Sequence, residues 1–84
     1  MRKEDDPVAE QGGGMPLSLL GSGGAGRVLA LRGREETCRY LENLGFVPGT
    51  DVSVISEIGG NVIVGVKGTR VAISRSMANK IFVQ

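Results

Sequence analysis

The sequence predicts a mainly β domain in which five or six short strands bend into a small barrel, with one short α-helix over about 34–44 and one helical turn over about 75–79. Three observations lead there. Apolar residues recur at alternate positions through three consecutive runs between Asp51 and Ser74, which is the period of a half-buried strand. The period switches to a helical one only between Arg34 and Leu44. Finally, a chain of 84 residues is too short to spread so many strands over two layers, so a sheet that bends back on itself is the economical way to enclose one core. An open α+β sheet is the second choice.

The elements follow in chain order. Residues 1–14 are polar, lack apolar periodicity and end in Gly12-Gly13-Gly14, so ordering them would cost more entropy than their burial could offset; a disordered tail is expected there, with the domain over 15–84. Leu17-Ser18-Leu19-Leu20 reads as a short strand. Gly21–Gly26 reads as a flexible connector, and Arg27–Leu31 as a second strand in which Val28 and Ala30 alternate with Leu29 and Leu31. In the helix, Cys38, Leu41 and Leu44 form one stripe, Glu35 and Glu36 sit in the first turn where the dipole favours anions, and Glu35 is placed to pair with Arg39 at i,i+4.

Residues 43–52, "NLGFVPGTDV", redirect the chain. Gly45 suits the left-handed residue of a Schellman stop, Phe46 can fold back on Leu41, and Pro48-Gly49 suits a type II turn. In the two runs that follow, Val52, Val54 and Ile58 and then Val62, Val64 and Val66 occupy even positions. A three-residue loop Gly59-Gly60-Asn61 would keep even facing even, pairing Ile58 with Val62 and Val54 with Val66. A tight turn at Lys67-Gly68 would set Val64 opposite Val71 and Val62 opposite Ile73. Ser74 is placed to cap the helical turn, and Ile81-Phe82-Val83 closes the chain as a last strand. Among small bent sheets, an SH3-like barrel fits this order best.

The composition narrows the chemistry. With no His and one Cys, the chain cannot assemble a zinc centre or a Cys–His nucleophile by itself, so no enzyme and no resident cofactor are expected. Gly21–Gly26 matches G-x-G-x-x-G but leads into a strand, whereas the phosphate-binding form leads into a helix. Arg2 and Lys3 against Glu4, Asp5, Asp6 and Glu10 leave residues 1–14 at net −2 and the remainder at +3, a small excess for a nucleic-acid binder, and only Tyr40, Phe46 and Phe82 offer stacking faces. Three scattered aromatics also fail to line a groove for proline-rich peptides. No charged and apolar leader is recognisable, no apolar run reaches membrane-spanning length, and a lone Cys38 suits a reducing cytoplasm. The remaining candidates for partner contact are the arginines, Arg39, Arg70 and Arg75 above all, because Arg favours bidentate contacts with acidic groups. Gly45, Phe46, Pro48, Gly49 and Gly68 are expected to be structural. Apolar residues left off the inferred core, among them Leu17, Leu19, Leu20, Ile55 and Phe82, are candidates for an interaction surface.

Taken together, "PLSLL" at 16–20, "GRVLALRG" at 26–33, "LENLGFVPGTDVSVI" at 41–55 and "NVIVGVKGTRVAISRSMANKIFV" at 61–83 resemble the FeoA family, the small cytoplasmic ferrous iron transport protein A of bacteria. The same pattern is similar to the SH3-like domain that ends some iron-dependent repressors. The resemblance implies an SH3-like fold and an accessory or regulatory role beside FeoB, the membrane iron transporter with a GTP-binding domain. It places the protein in the cytoplasm, at the membrane only through that partner, with at most a weak association with Fe2+. A divalent-metal-sensing module is the alternative it implies. Ser76, where the family often has an acidic residue, and residues 1–14 depart from the pattern.

Overall fold

The computed structural model describes residues 14–84, so the tail expected over 1–14 lies outside the described residues apart from Gly14. The strands are β1 (Met15–Pro16), β2 (Ala25–Leu31), β3 (Asp51–Ile58), β4 (Asn61–Val66), β5 (Thr69–Ser74) and β6 (Ile81–Val83). Between them lie helices α1 (Glu35–Leu44) and α2 (Arg75–Ala78) and a 3-10 turn at Leu17–Leu19. All six strands join one antiparallel sheet in the order β1-β6-β2-β3-β4-β5. Strand β2 is its joint. Ala25, Gly26 and Arg27 pair with β3, Val28 to Leu31 pair with β6, and the register shifts between Val28 and Ala30. At the joint the Val28 amide donates to the Thr50 carbonyl at 2.8 Å, and the Val28 carbonyl accepts from the Gly49 amide at 2.8 Å. The bend turns both halves of the sheet toward one core, where Leu17, Leu41, Phe46, Val64 and Val83 are wholly buried. This is the expected SH3-like domain, mainly β with one full helix.

Helix α1 ends as its sequence dictates. Gly45 has φ 113° and ψ 0°, its amide donates to Glu42 at 2.9 Å, and the Phe46 amide donates to Leu41 at 3.0 Å, the paired bonds of a Schellman motif. Phe46 and Leu41 are both fully buried, so the stop also delivers the largest apolar side chain of the core. The Thr50 amide then reaches the Val47 carbonyl at 3.1 Å with Gly49 at φ 93°, as a turn built on Pro48-Gly49 requires. Cys38, on the same stripe as Leu41, is only partly covered.

Two expectations are corrected. The β3–β4 connection is a two-residue loop, with Ile58 opposite Asn61, Val54 opposite Val64 and Val52 opposite Val66. A two-residue loop alone would mix the faces, but a register shift between Val54 and Ser56 restores them. The bulge sends Ile58 outward, 63% exposed, and sets Glu57 opposite Val62 instead. Even alternation holds along β4 and along β3 as far as Val54; the extra residue within β3 after Val54 is invisible to it. Beyond the hairpin, Lys67-Gly68 places Val64 opposite Val71 and Val62 opposite Ile73, as expected.

The second correction concerns Leu17–Leu20. Only Met15 and Pro16 pair, with Val83 and Phe82, and the chain then coils so that the Leu20 amide donates to Leu17 at 3.0 Å. A strand would have put Leu17 and Leu19 on one face. The 3-10 turn separates them, dropping Leu17 into the core and leaving Leu19 67% exposed. The following glycine loop does not hang free: the Gly23 amide donates to the Val54 carbonyl and the Val54 amide to the Gly24 carbonyl, both at 2.8 Å. A Cβ at residue 24 would meet the Leu20 carbonyl oxygen at 2.8 Å, so only glycine fits where the loop closes. The buried Ser18 hydroxyl bonds the Asn79 side-chain oxygen, joining the 3-10 turn to the end of α2, and Ser74 Oγ caps α2 by accepting from the Met77 amide at 3.1 Å.

Gly45→Val should destabilise the domain by about 2 kcal/mol or more, since the new side chain must adopt positive φ with its Cβ 3.3 Å from Val66; for a domain this small that lowers Tm by roughly 8–16 °C in a calorimetric scan. The Ser18–Asn79 pair should respond asymmetrically in urea denaturation. Asn79→Ala strands a buried hydroxyl and should cost about 1–2 kcal/mol, whereas Ser18→Ala leaves the exposed Asn79 to water and should cost less.

Candidate functional site

An open concavity lies on the outer face of the sheet. Register alone builds it: Ala25 pairs with Ser53, Ser53 with Gly65 and Gly65 with Arg70, so one row crosses β2, β3, β4 and β5 with three small residues followed by an arginine. The small residues leave an open groove of about 700 Å³ along that row. Ile55 forms one wall, and its side chain lies where a Cβ on Gly65 would be 3.4 Å away. Lys67 and Arg70 stand at the β4–β5 end, and Asp51 at the other side is neutralised by Arg27, whose Nε donates to Oδ1 at 3.2 Å. No carboxylate among the described residues pairs with Lys67 or Arg70. A smaller recess continues from Ala25 past Gly26 to Gln84.

The three nominated arginines do not converge. Arg39 pairs with Glu35 at 2.7 Å on the exposed side of α1, and Arg75 pairs with Glu57 at 2.8 Å at the α2 end of the barrel. Only Arg70 lines the groove. Both ion pairs are largely in water, so each holds its side chain weakly and could be exchanged for a partner's carboxylate at small cost. No aromatic lines the groove: Phe46 is buried, Tyr40 lies half exposed, and Phe82 is covered by the Arg32 guanidinium 5.4 Å above its ring. Of the apolar residues thought to lie off the core, Leu17 is wholly buried and Leu20 packs against it, while Leu19 and Ile55 are exposed.

Gly65 was overlooked in the sequence, although an isolated glycine inside "NVIVGV" marks a place where something approaches a strand closely. Here the close neighbours are Ser53 and Ile55. Among the described residues, no three His, Cys, Asp or Glu side chains gather as a metal site would require. Cys38 Sγ lies 3.8 Å from the Gly33 carbonyl, and the glycine-loop amides of Gly23 and Gly24 bond to backbone carbonyls. No helix among the described residues is long and apolar enough to cross a membrane. The groove therefore offers shape, a partly apolar floor and two cations, which are the means of holding an extended polypeptide.

Comparison with known proteins agrees with this fold. The FeoA domain model matches residues 15–84. Among solved structures, an iron uptake regulatory protein (FeoA) is 31% identical with a TM-score of 0.79, the match covering 84% of this chain and 95% of that one. The FeoA of Stenotrophomonas maltophilia, solved with zinc and described as an SH3 domain protein, is 32% identical with a TM-score of 0.69, covering 83% and 89%. A manganese-dependent transcriptional repressor shares the fold at 20% identity and a TM-score of 0.76, this chain covering 40% of its length. No curated protein matches. With the family model spanning the whole domain and two FeoA structures above 30% identity, the chain belongs to the FeoA family of ferrous iron transport proteins.

Proposed function

We propose that this protein is a non-enzymatic accessory protein of ferrous iron uptake that docks on the cytoplasmic side of a FeoB-type transporter and regulates its transport, assembly or GTP turnover. The observation that carries the reading is the family match over residues 15–84. It is supported by a groove that presents Arg70 and Lys67 beside small and apolar residues, a surface suited to a polypeptide. The protein acts in the cytoplasm and reaches the membrane only through its partner; nucleic acid is not a partner.

The test is binding and GTP hydrolysis, measured with the transporter's soluble GTPase domain and with the full transporter. Binding to one of them is expected, and Arg70→Glu should weaken it about tenfold by placing a like charge against an acidic contact. No binding to either target would overturn the reading. A second reading, divalent-metal sensing, draws on the zinc-bound Stenotrophomonas maltophilia relative. It expects localised amide shifts around a carboxylate group when Fe2+ or Zn2+ is titrated at micromolar concentration; unchanged spectra would count against it.

A further inference from the structure

The sheet has two edges, and the chain treats them differently. One edge is β1, two residues long and closed by Pro16, which has no amide hydrogen to offer. The other is β5, which pairs with β4 through six successive residues without a register shift and contains no proline. A flat strand of that length at an edge is a template for another strand.

The turn before β5 fixes which of its backbone groups are spare. Lys67 and Gly68 have φ of 53° and 75°, as the central residues of a type I′ hairpin require, so Val66 and Thr69 exchange ladder hydrogen bonds. Antiparallel pairs alternate, so Val71 and Ile73 also bond to β4, whereas the amides and carbonyls of Arg70 and Ala72 point away from it. Among the described residues no other backbone group bonds them. The Arg70 and Ala72 side chains are exposed as well, so the edge is open where those groups point.

Charge selects the occupant. From Lys67 to Arg75 the chain carries Lys67, Arg70 and Arg75 and no carboxylate. Two copies joined edge to edge would bring two such stretches together, and like charges oppose that. We propose that β5 accepts a seventh strand from a partner polypeptide, an extended segment with an acidic side chain opposite Arg70 and apolar side chains on the face of Val71 and Ile73. The residue opposite Arg70 extends the row Ala25, Ser53, Gly65, Arg70 by one position, so the groove and the edge form one docking surface. Its neighbours in sequence fall on the other face, beside half-buried Val71 and buried Ile73. Main-chain hydrogen bonds supply affinity, and the alternation of acidic and apolar side chains supplies selectivity. The inference rests on the groove being a polypeptide-docking surface, not on which protein supplies the strand.

The probe is a blocked peptide of alternating valine and glutamate, titrated into the full 15N-labelled chain. Saturable downfield shifts of the Arg70 and Ala72 amide protons are expected, with smaller changes at Val71, whose amide already bonds β4. The decisive comparison moves one kind of methyl group. N-methylation of the glutamates blocks the amides that face β5 and should weaken binding about tenfold or more, whereas N-methylation of the valines blocks amides that face away and should change it by less than about twofold. Equal effects of the two, or no binding of the unmethylated peptide, would overturn the proposal. Ala72→Pro removes an edge donor that β4 does not use and should abolish peptide binding with the β4–β5 pairing kept. Sedimentation of the free chain tests for a second copy; a dimer that Ala72→Pro dissociates would also overturn the proposal. Transporter binding is measured separately, so a failed edge leaves the accessory role standing and a failed transporter assay leaves the edge standing.

Discussion

The rest of the structure depends on the exchange of partners along β2. A strand that paired with β3 over its whole length would make a flat sheet with no room for a single enclosed core; one that leaves β3 at Val28 and continues against β6 folds the sheet in two. The exchange is held at one residue. Val28 bonds through both its amide and its carbonyl to the Gly49-Thr50 turn, and its side chain is buried beneath the bend. The turn that anchors Val28 is itself aimed by the helix stop at Gly45 and Phe46, so the end of α1 and the corner of the sheet are two parts of one constraint.

This dependence explains which features were legible in the sequence. Conformations demanded by one or a few adjacent residues were readable: the Gly45 stop, the Pro48-Gly49 turn, the Lys67-Gly68 turn with its register, and the Ser74 cap. Each is decided by backbone sterics or a short-range hydrogen bond. Features decided by distant strands were not. The bulge after Val54 arises where the hairpin register meets the glycine loop, whose Gly23 and Gly24 bond to the Val54 peptide groups from 31 and 30 residues away in sequence. The coiling of Leu17–Leu19 follows from what lies beneath it, a core that takes Leu17 and an Asn79 that takes Ser18.

The groove divides along the same line. Arg70 could be placed, because the Lys67-Gly68 turn fixes its position opposite Gly65. The floor could not, since it needs Ala25, Ser53 and Gly65 brought into one row by two further strand pairings. The arginines were nominated by residue type alone. The fold separates them, sending Arg39 to the outside of α1 and Arg75 to the end of the barrel. Family membership speaks to the role of the whole domain, whereas the groove is a property of this chain's own register and small residues.

The bulge has one more effect, on the two ends of the barrel. At the α1 end the barrel is plugged by Phe46 and Leu41, which no water reaches. At the α2 end, with Ile58 turned outward, the exposed Glu57 accepts from the Arg75 guanidinium at 2.8 Å, backed by a single helical turn on a serine cap. A dry plug and a wet latch respond to different things. Ionic strength loosens the latch and leaves the plug untouched, and the four-residue α2 has little buried area of its own to hold it shut. Salt sensitivity is therefore confined to one end of the barrel, and the Ser18–Asn79 bond ties the 3-10 turn, and β1 before it, to that end.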